Sequence, residues 1–216
     1  MEHEKPAFQH LVLLGDSIFD NHAYVPEGSA VIDHLKGMLS QDWQATLIAR
    51  DGDMVKHIEE QLLYVPDDAT HLVLSVGGND ALHAAEVLSR PADTVRTAVL
   101  HLHQIRQNFR RAYRAMLWLL LSLKKPLAVC AIYDAVPNLS PELQTTLCIF
   151  NDTIVREAFA ARLPIIDLRS VCTEAEDYSE ISPIEPSDQG GGKIAKAIRA
   201  WLTEESEVDN PLCEGK

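Results

Sequence analysis

Apolar residues in this chain come in short unbroken runs, not in the every-other-residue pattern of a half-exposed strand. The runs occupy 10–15, 45–49, 72–76, 127–132 and 164–167. Between them lie segments with apolar positions at helical spacing, over about 30–39, 53–63, 91–123, 141–162 and 191–203. A strand apolar at consecutive positions is covered on both faces. Its regular alternation with helices predicts an α/β protein, with a five-stranded parallel sheet sandwiched between helices in a three-layer α/β/α arrangement. One domain is expected over 1–204. The stretch 168–189 shows neither period and is expected to be a long loop, a kind that often carries function. Residues 205–216 are acidic, have no apolar face and are expected to be a mobile tail.

Within the helical segments, Phe109, Tyr113, Met116, Trp118 and Leu120 form a stripe expected to face the core, or a second copy of the chain in a homo-oligomer. In open parallel sheets, sites lie beyond the carboxyl ends of the strands. Candidate chemistry therefore belongs in the loop that follows each apolar run.

Three such loops share a character. The first run leads into Gly15-Asp16-Ser17-Ile18-Phe19-Asp20-Asn21, the second into Arg50-Asp51-Gly52-Asp53, and the third into Gly77-Gly78-Asn79-Asp80. A serine hydroxyl, a glycine N–H and an asparagine amide brought to one point suit attack on a carbonyl. The hydroxyl is the nucleophile, and the donors face the oxyanion that develops. Taken singly, these groups equally suit turns and caps. Asp20 and Asn21 are expected either at the substrate mouth or capping the next helix, and Ser187 as the cap of the last helix.

Charge narrows the partners. The 216 residues hold 19 Lys and Arg against 32 Asp and Glu, a formal charge of −13, which argues against binding nucleic acid or an anionic membrane. The charged start at 1–6 has no apolar signal core, and the most apolar run, 115–123, is too short to span a bilayer, so a cytoplasmic protein is expected. Cys130, Cys148, Cys172 and Cys213 show no metal-ligand or redox spacing and are expected to be reduced thiols.

With these blocks in order, the chain resembles the SGNH hydrolases, the GDSL esterase/lipase superfamily. Gly15-Asp16-Ser17 matches the nucleophile block, Gly52 the glycine block and Gly77-Gly78-Asn79-Asp80 the Gly-x-Asn-Asp block. The resemblance covers 11–202. It implies a flavodoxin-like sheet, Ser17 as nucleophile, and an oxyanion hole made by the Ser17 and Gly52 N–H groups and the Asn79 amide. Gly78 joins Asp20 and Asn21 as a candidate for substrate contact. A small ester would be the substrate, with no metal or organic cofactor.

The last block departs from the family. An Asp-x-x-His is expected before the final helix, the His being the general base, but the chain reads Ser182-Pro183-Ile184-Glu185. Glu185 stands at the His position and Ser182 at the Asp position. A free Glu has a pKa of about 4.3 against about 6.5 for His, a deficit that burial would shrink. A carboxylate also has no tautomer for a third residue to fix. Three readings follow: Glu185 is the base, a histidine such as His22 or His83 supplies it, or the protein binds a ligand on this fold without catalysis.

Overall fold

The computed structural model describes residues 8–208. Five strands form one parallel sheet: β1 (Gln9–Gly15), β2 (Trp43–Leu47), β3 (His71–Ser75), β4 (Leu127–Ala131) and β5 (Ile165–Asp167), in the order β2-β1-β3-β4-β5. This is the flavodoxin-like order, which reverses direction between β1 and β3. The pleat divides the buried side chains between two cores. Leu11 and Leu13 face α1 (Val31–Met38) and α7 (Asp188–Val208), together with Val73 and Cys130. Val12 and Leu14 face α2 (Ile58–Leu62), α4 (Val95–Ser122) and α5 (Pro141–Ala160), together with Leu72 and Val129. That division makes the three layers. Two short helices complete the set, α3 (Gly78–Ala84) and α6 (Leu168–Val171).

The helical layers are joined by charge as well as by apolar contact. Glu157 of α5 is buried and receives Arg110 at 2.6 Å and Arg114 at 2.7 Å, both from α4. Asn151 of α5 accepts the Ile132 N–H and donates to the Ile132 carbonyl, both at 2.8 Å, so a side chain completes the end of β4.

Several boundaries differ from the sequence pattern. β2 starts two residues before its apolar run and stops at Leu47, because the Ile48 and Ala49 N–H groups both donate to the Leu13 carbonyl and the ladder breaks there. α3 was hidden because it begins inside the Gly-Gly-Asn-Asp segment, where the polar residues mask any helical period. α4 starts at Val95, since the Thr94 hydroxyl accepts the Thr97 N–H and caps it. In the expected stripe, Phe109, Tyr113, Met116 and Leu120 are buried, but Trp118 is 71% exposed. At 100° per residue, position 118 turns away from that face. The 168–189 segment is not wholly irregular: it holds α6, a 3-10 turn at Ala175–Asp177 and a bridge between Tyr178 and Pro186. α7 begins at Asp188 and runs to Val208, past the expected end at 203, and the rest of the expected tail lies outside the described residues.

Candidate active site

The β1 loop is fixed from below. Gly15 adopts φ +135°, and a Cβ there would lie 1.8 Å from the Ser75 carbonyl oxygen, so only glycine fits where β1 turns out of the sheet. Gln61 of α2 is fully buried and pairs with both main-chain groups of Gly15: its Oε1 accepts the Gly15 N–H at 2.9 Å, and its Nε2 donates to the Gly15 carbonyl at 2.7 Å. The Asp16 N–H donates to the Ser75 carbonyl of β3. Ser17 is thereby held at the reversal point of the sheet.

The Ser17 hydroxyl donates to Glu185 Oε1 at 2.9 Å, across 168 residues of chain. Both residues are buried, at 5% and 4% exposure, and both line one cavity. A wall of that cavity is apolar: Leu82, Ile132, Val136, Leu139, Leu143 and Leu147 come from α3, the β4 loop and α5. Burial pushes the Glu185 carboxyl from its ordinary 4.5 up to about 7; the Ser17 hydroxyl opposes this, and the Asp51 charge adds to it. The base-strength deficit of glutamate against histidine is thus removed by environment. Its second oxygen, Oε2, is buried and has no hydrogen-bond partner among the described residues. Burial also holds the Asp16 carboxyl well above the usual carboxylate range, although its Oδ1 accepts the Ile18 N–H.

The backbone explains why Glu185 arrives there. Its own N–H donates to the Ser182 carbonyl, and its carbonyl accepts the Ser179 N–H. Tyr133 is buried and donates its hydroxyl to the Ile184 carbonyl at 2.6 Å. Downstream, Ser187 caps α7 by accepting the Gly190 N–H. A Cβ on Gly190 would stand 2.1 Å from the Asp177 carbonyl oxygen, so glycine lets α7 close onto the loop.

Two of the expected donors stand out among their neighbours. In the β1 loop, the N–H groups of Asp16, Ile18, Phe19 and Asp20 all have internal acceptors, whereas that of Ser17 has none among the described residues. In the β2 loop, the N–H groups of Asp51, Asp53 and Met54 are engaged, whereas that of Gly52, at φ +79°, has no acceptor among the described residues. The Asn79 amide gives one hydrogen to the Asp53 carbonyl at 3.0 Å, leaving its other hydrogen for the cavity it lines. Gly52 is exposed and is not among the cavity-lining residues, whereas Gly78 is.

Other candidates fall elsewhere. Asn21 makes no contact with the cavity: it is fully buried, its Oδ1 accepts the Val31 N–H at the start of α1 and its Nδ2 donates to the Pro186 carbonyl. Its role is to cap α1 and tie the closing loop down. Asp20 likewise does not line the cavity; its carboxylate accepts the Asp51 N–H at 3.0 Å and joins two loops. His22 is exposed and contacts Asp33, and His83 is exposed on α3, outside this cavity. Neither touches Ser17. Gln61, Tyr133 and Tyr24 were not foreseen as parts of the site, because each acts through backbone or through another side chain and none lies in a motif, and Asp51 stands in the second candidate loop but was given no role there. No cluster among the described residues has the donors for a metal ion. No described helix is long and apolar enough to cross a membrane.

No known family model matches the chain, and no curated protein matches it by sequence. Solved structures do. A lipase from a goat rumen metagenome aligns over 89% of this chain and 96% of its own, with 18% identity and a TM-score of 0.67. The acetyl xylan esterase AlAXEase aligns over 89% and 99%, with 19% identity and a TM-score of 0.65. A member of the lipolytic G-D-S-L family from Veillonella parvula aligns over 90% and 98%, with 17% identity and a TM-score of 0.65. Over nearly its whole described length, the chain therefore has the α/β/α fold found in GDSL lipases and acetyl xylan esterases.

Proposed function

We propose that the protein is a serine esterase of the SGNH kind, cleaving a small ester through an acyl-enzyme on Ser17, with Glu185 as general base. The observation that carries this reading is the 2.9 Å hydrogen bond from the Ser17 hydroxyl to a buried carboxylate, at the edge of an apolar cavity. The fold likeness to lipases and esterases supports it at the level of reaction class.

The ionised Glu185 takes the Ser17 proton as Oγ attacks the ester carbonyl carbon. The carbonyl electron pair moves to oxygen and forms the oxyanion. The free Ser17 N–H, the free Gly52 N–H and the second hydrogen of the Asn79 amide receive it. Protonated Glu185 then gives its proton to the leaving alkoxide, and the alcohol departs. Water attacks the acyl carbon, Glu185 takes the water proton, and Ser17 leaves with that proton as the carboxylic acid is released. No cofactor enters these steps. The aliphatic wall suits the acyl group, and Gly78 leaves it room, since a Cβ there would meet only Asp16 Oδ2, at 3.7 Å.

Short p-nitrophenyl esters test the proposal. Hydrolysis by the wild type is expected to fall to background in Ser17→Ala. Equal rates in the two proteins would refute it and favour a ligand-binding protein on the same fold.

A further inference from the structure

The loop after β2 is a turn closed on itself. The Asp53 N–H donates to the Arg50 carbonyl at 3.1 Å, and Gly52 takes the third position, where its φ of +79° favours glycine. The turn is pinned to the β1 loop, since the Arg50 N–H donates to the Gly15 carbonyl at 3.1 Å. A buried amide closes the circuit. Gln61 Nε2 has two hydrogens; one goes to that same Gly15 carbonyl and the other to Asp53 Oδ2, both at 2.7 Å. The loop after β3 joins at the same residue, because Asn79 Nδ2 donates to the Asp53 carbonyl at 3.0 Å. Asp53 therefore uses its N–H, its carbonyl and its carboxylate to link the loops that follow β1, β2 and β3. The other oxygen of its carboxylate lies 3.3 Å from His57 Nδ1.

We propose that Asp53 is a positioning residue that holds the oxyanion donors in register, through the Asn79 amide it receives and the Gln61 amide it binds. The inference rests on the reading of Gly52 and Asn79 as those donors. Asp53 does not line the cavity, so it acts through its neighbours and not on substrate. An amide NH2 is planar. Binding one Asn79 hydrogen to the Asp53 carbonyl thus fixes the direction of the other, the one left for the cavity. The Gly52 N–H is aimed by the turn, and the last residue of that turn is the one Gln61 grips. Without the carboxylate, Gln61 loses its hold on the turn, and the carbonyl that aims Asn79 is free to drift. A displacement of about 1 Å at a reacting centre can cost roughly 10²-fold in rate.

The test joins a measurement made without substrate to a kinetic cycle. Full-length protein labelled with 15N is followed by NMR relaxation of the Asn79 side-chain amide, assigned by its absence in Asn79→Ala. Its order parameter is expected to be near about 0.85 in the wild type and to fall below about 0.6 in Asp53→Ala. Asp53→Asn keeps an oxygen that can accept the Gln61 amide and is expected to restore the wild-type value. Asp53→Ser, too short to reach Gln61, is carried in parallel and is expected to behave as Asp53→Ala, so the result does not hang on the folding of one variant. On short p-nitrophenyl esters, Asp53→Ala is expected to lower kcat by roughly 10–100-fold with KM changed less than about threefold. In an Asn79→Ala background the same substitution should cost much less, because the group through which it acts is gone. An unchanged order parameter in folded Asp53→Ala or Asp53→Ser would overturn the proposal, as would an equal kcat loss with and without Asn79. A lowered order parameter in a protein that hydrolyses no ester would uphold the positioning role and refute the hydrolase reading instead.

Discussion

In the proposed mechanism the base must be deprotonated to act, and burial raises the Glu185 carboxyl to about 7, so its protonation would govern the rate across the neutral range. The sign follows directly. Below the midpoint the carboxyl is neutral, accepts no proton from Ser17 and is inactive; above it the carboxylate is charged and the rate reaches a plateau. Ester hydrolysis is therefore expected to rise with pH through about 7, as a pH–rate profile on one short ester would read. An ordinary glutamate would give a rise near about 4.3. Glu185→Gln keeps an oxygen facing the Ser17 hydroxyl but removes the base. It is expected to lower kcat by roughly 10²–10⁴-fold and to abolish the pH-dependent rise. Retention of the wild-type rate would move the base elsewhere, and the structure brings neither His22 nor His83 to Ser17.

The elements place these residues through contacts that leave little trace in sequence. Gln61 sits in the short helix α2 and braces the main chain of Gly15 two residues before Ser17, the proposed nucleophile. Gln61→Leu keeps much of the volume but leaves the buried Gly15 N–H without its acceptor. A loss of about 1–3 kcal/mol in urea unfolding is expected, with a lower kcat because the turn bearing Ser17 is no longer held. Such a brace was not legible, since glutamine has no pattern that distinguishes a buried clamp from a solvated side chain. The strands were legible because burial on both faces makes them apolar without interruption. The loops at β1, β2 and β3 were legible because glycine beside a small polar residue at a strand end is a local signal. The Ser17–Glu185 pair was reachable only through the family resemblance, which puts Glu185 where the base is expected. Asn21 was half legible: of its two expected roles, substrate contact or a cap, its Oδ1 takes the cap of α1, while its Nδ2 holds the Pro186 carbonyl. Only the three-dimensional closure of the last loop reveals that use.

For the molecule as a whole, the site is a source of instability, and pH exposes it. The Glu185 carboxyl has a folded pKa raised from 4.5 to about 7. Below the unfolded value it is protonated in both states and imposes no penalty. As pH rises through the folded value, the unfolded chain has already gained by ionising and the folded protein must bear a buried charge. Stability from this group is therefore present at low pH and lost by about pH 8, by an amount on the order of 3 kcal/mol. Asp16, raised for the same reason, acts with the same sign. Among the described residues no cation pairs with either carboxyl, and the Oε2 of Glu185 has no hydrogen-bond partner to soften it. Glu185→Gln removes the titration while leaving the fold's contacts in place. Its unfolding midpoint in urea is expected to exceed that of the wild type at about pH 8, with the advantage shrinking towards about pH 5. A variant that is the more stable protein only at higher pH is what a buried, unpaired carboxylate requires, and its loss of activity would follow from the proposed mechanism. A constant difference across that range would mean that Glu185 is not strained by its surroundings, and the base strength assigned to it would fall with that result.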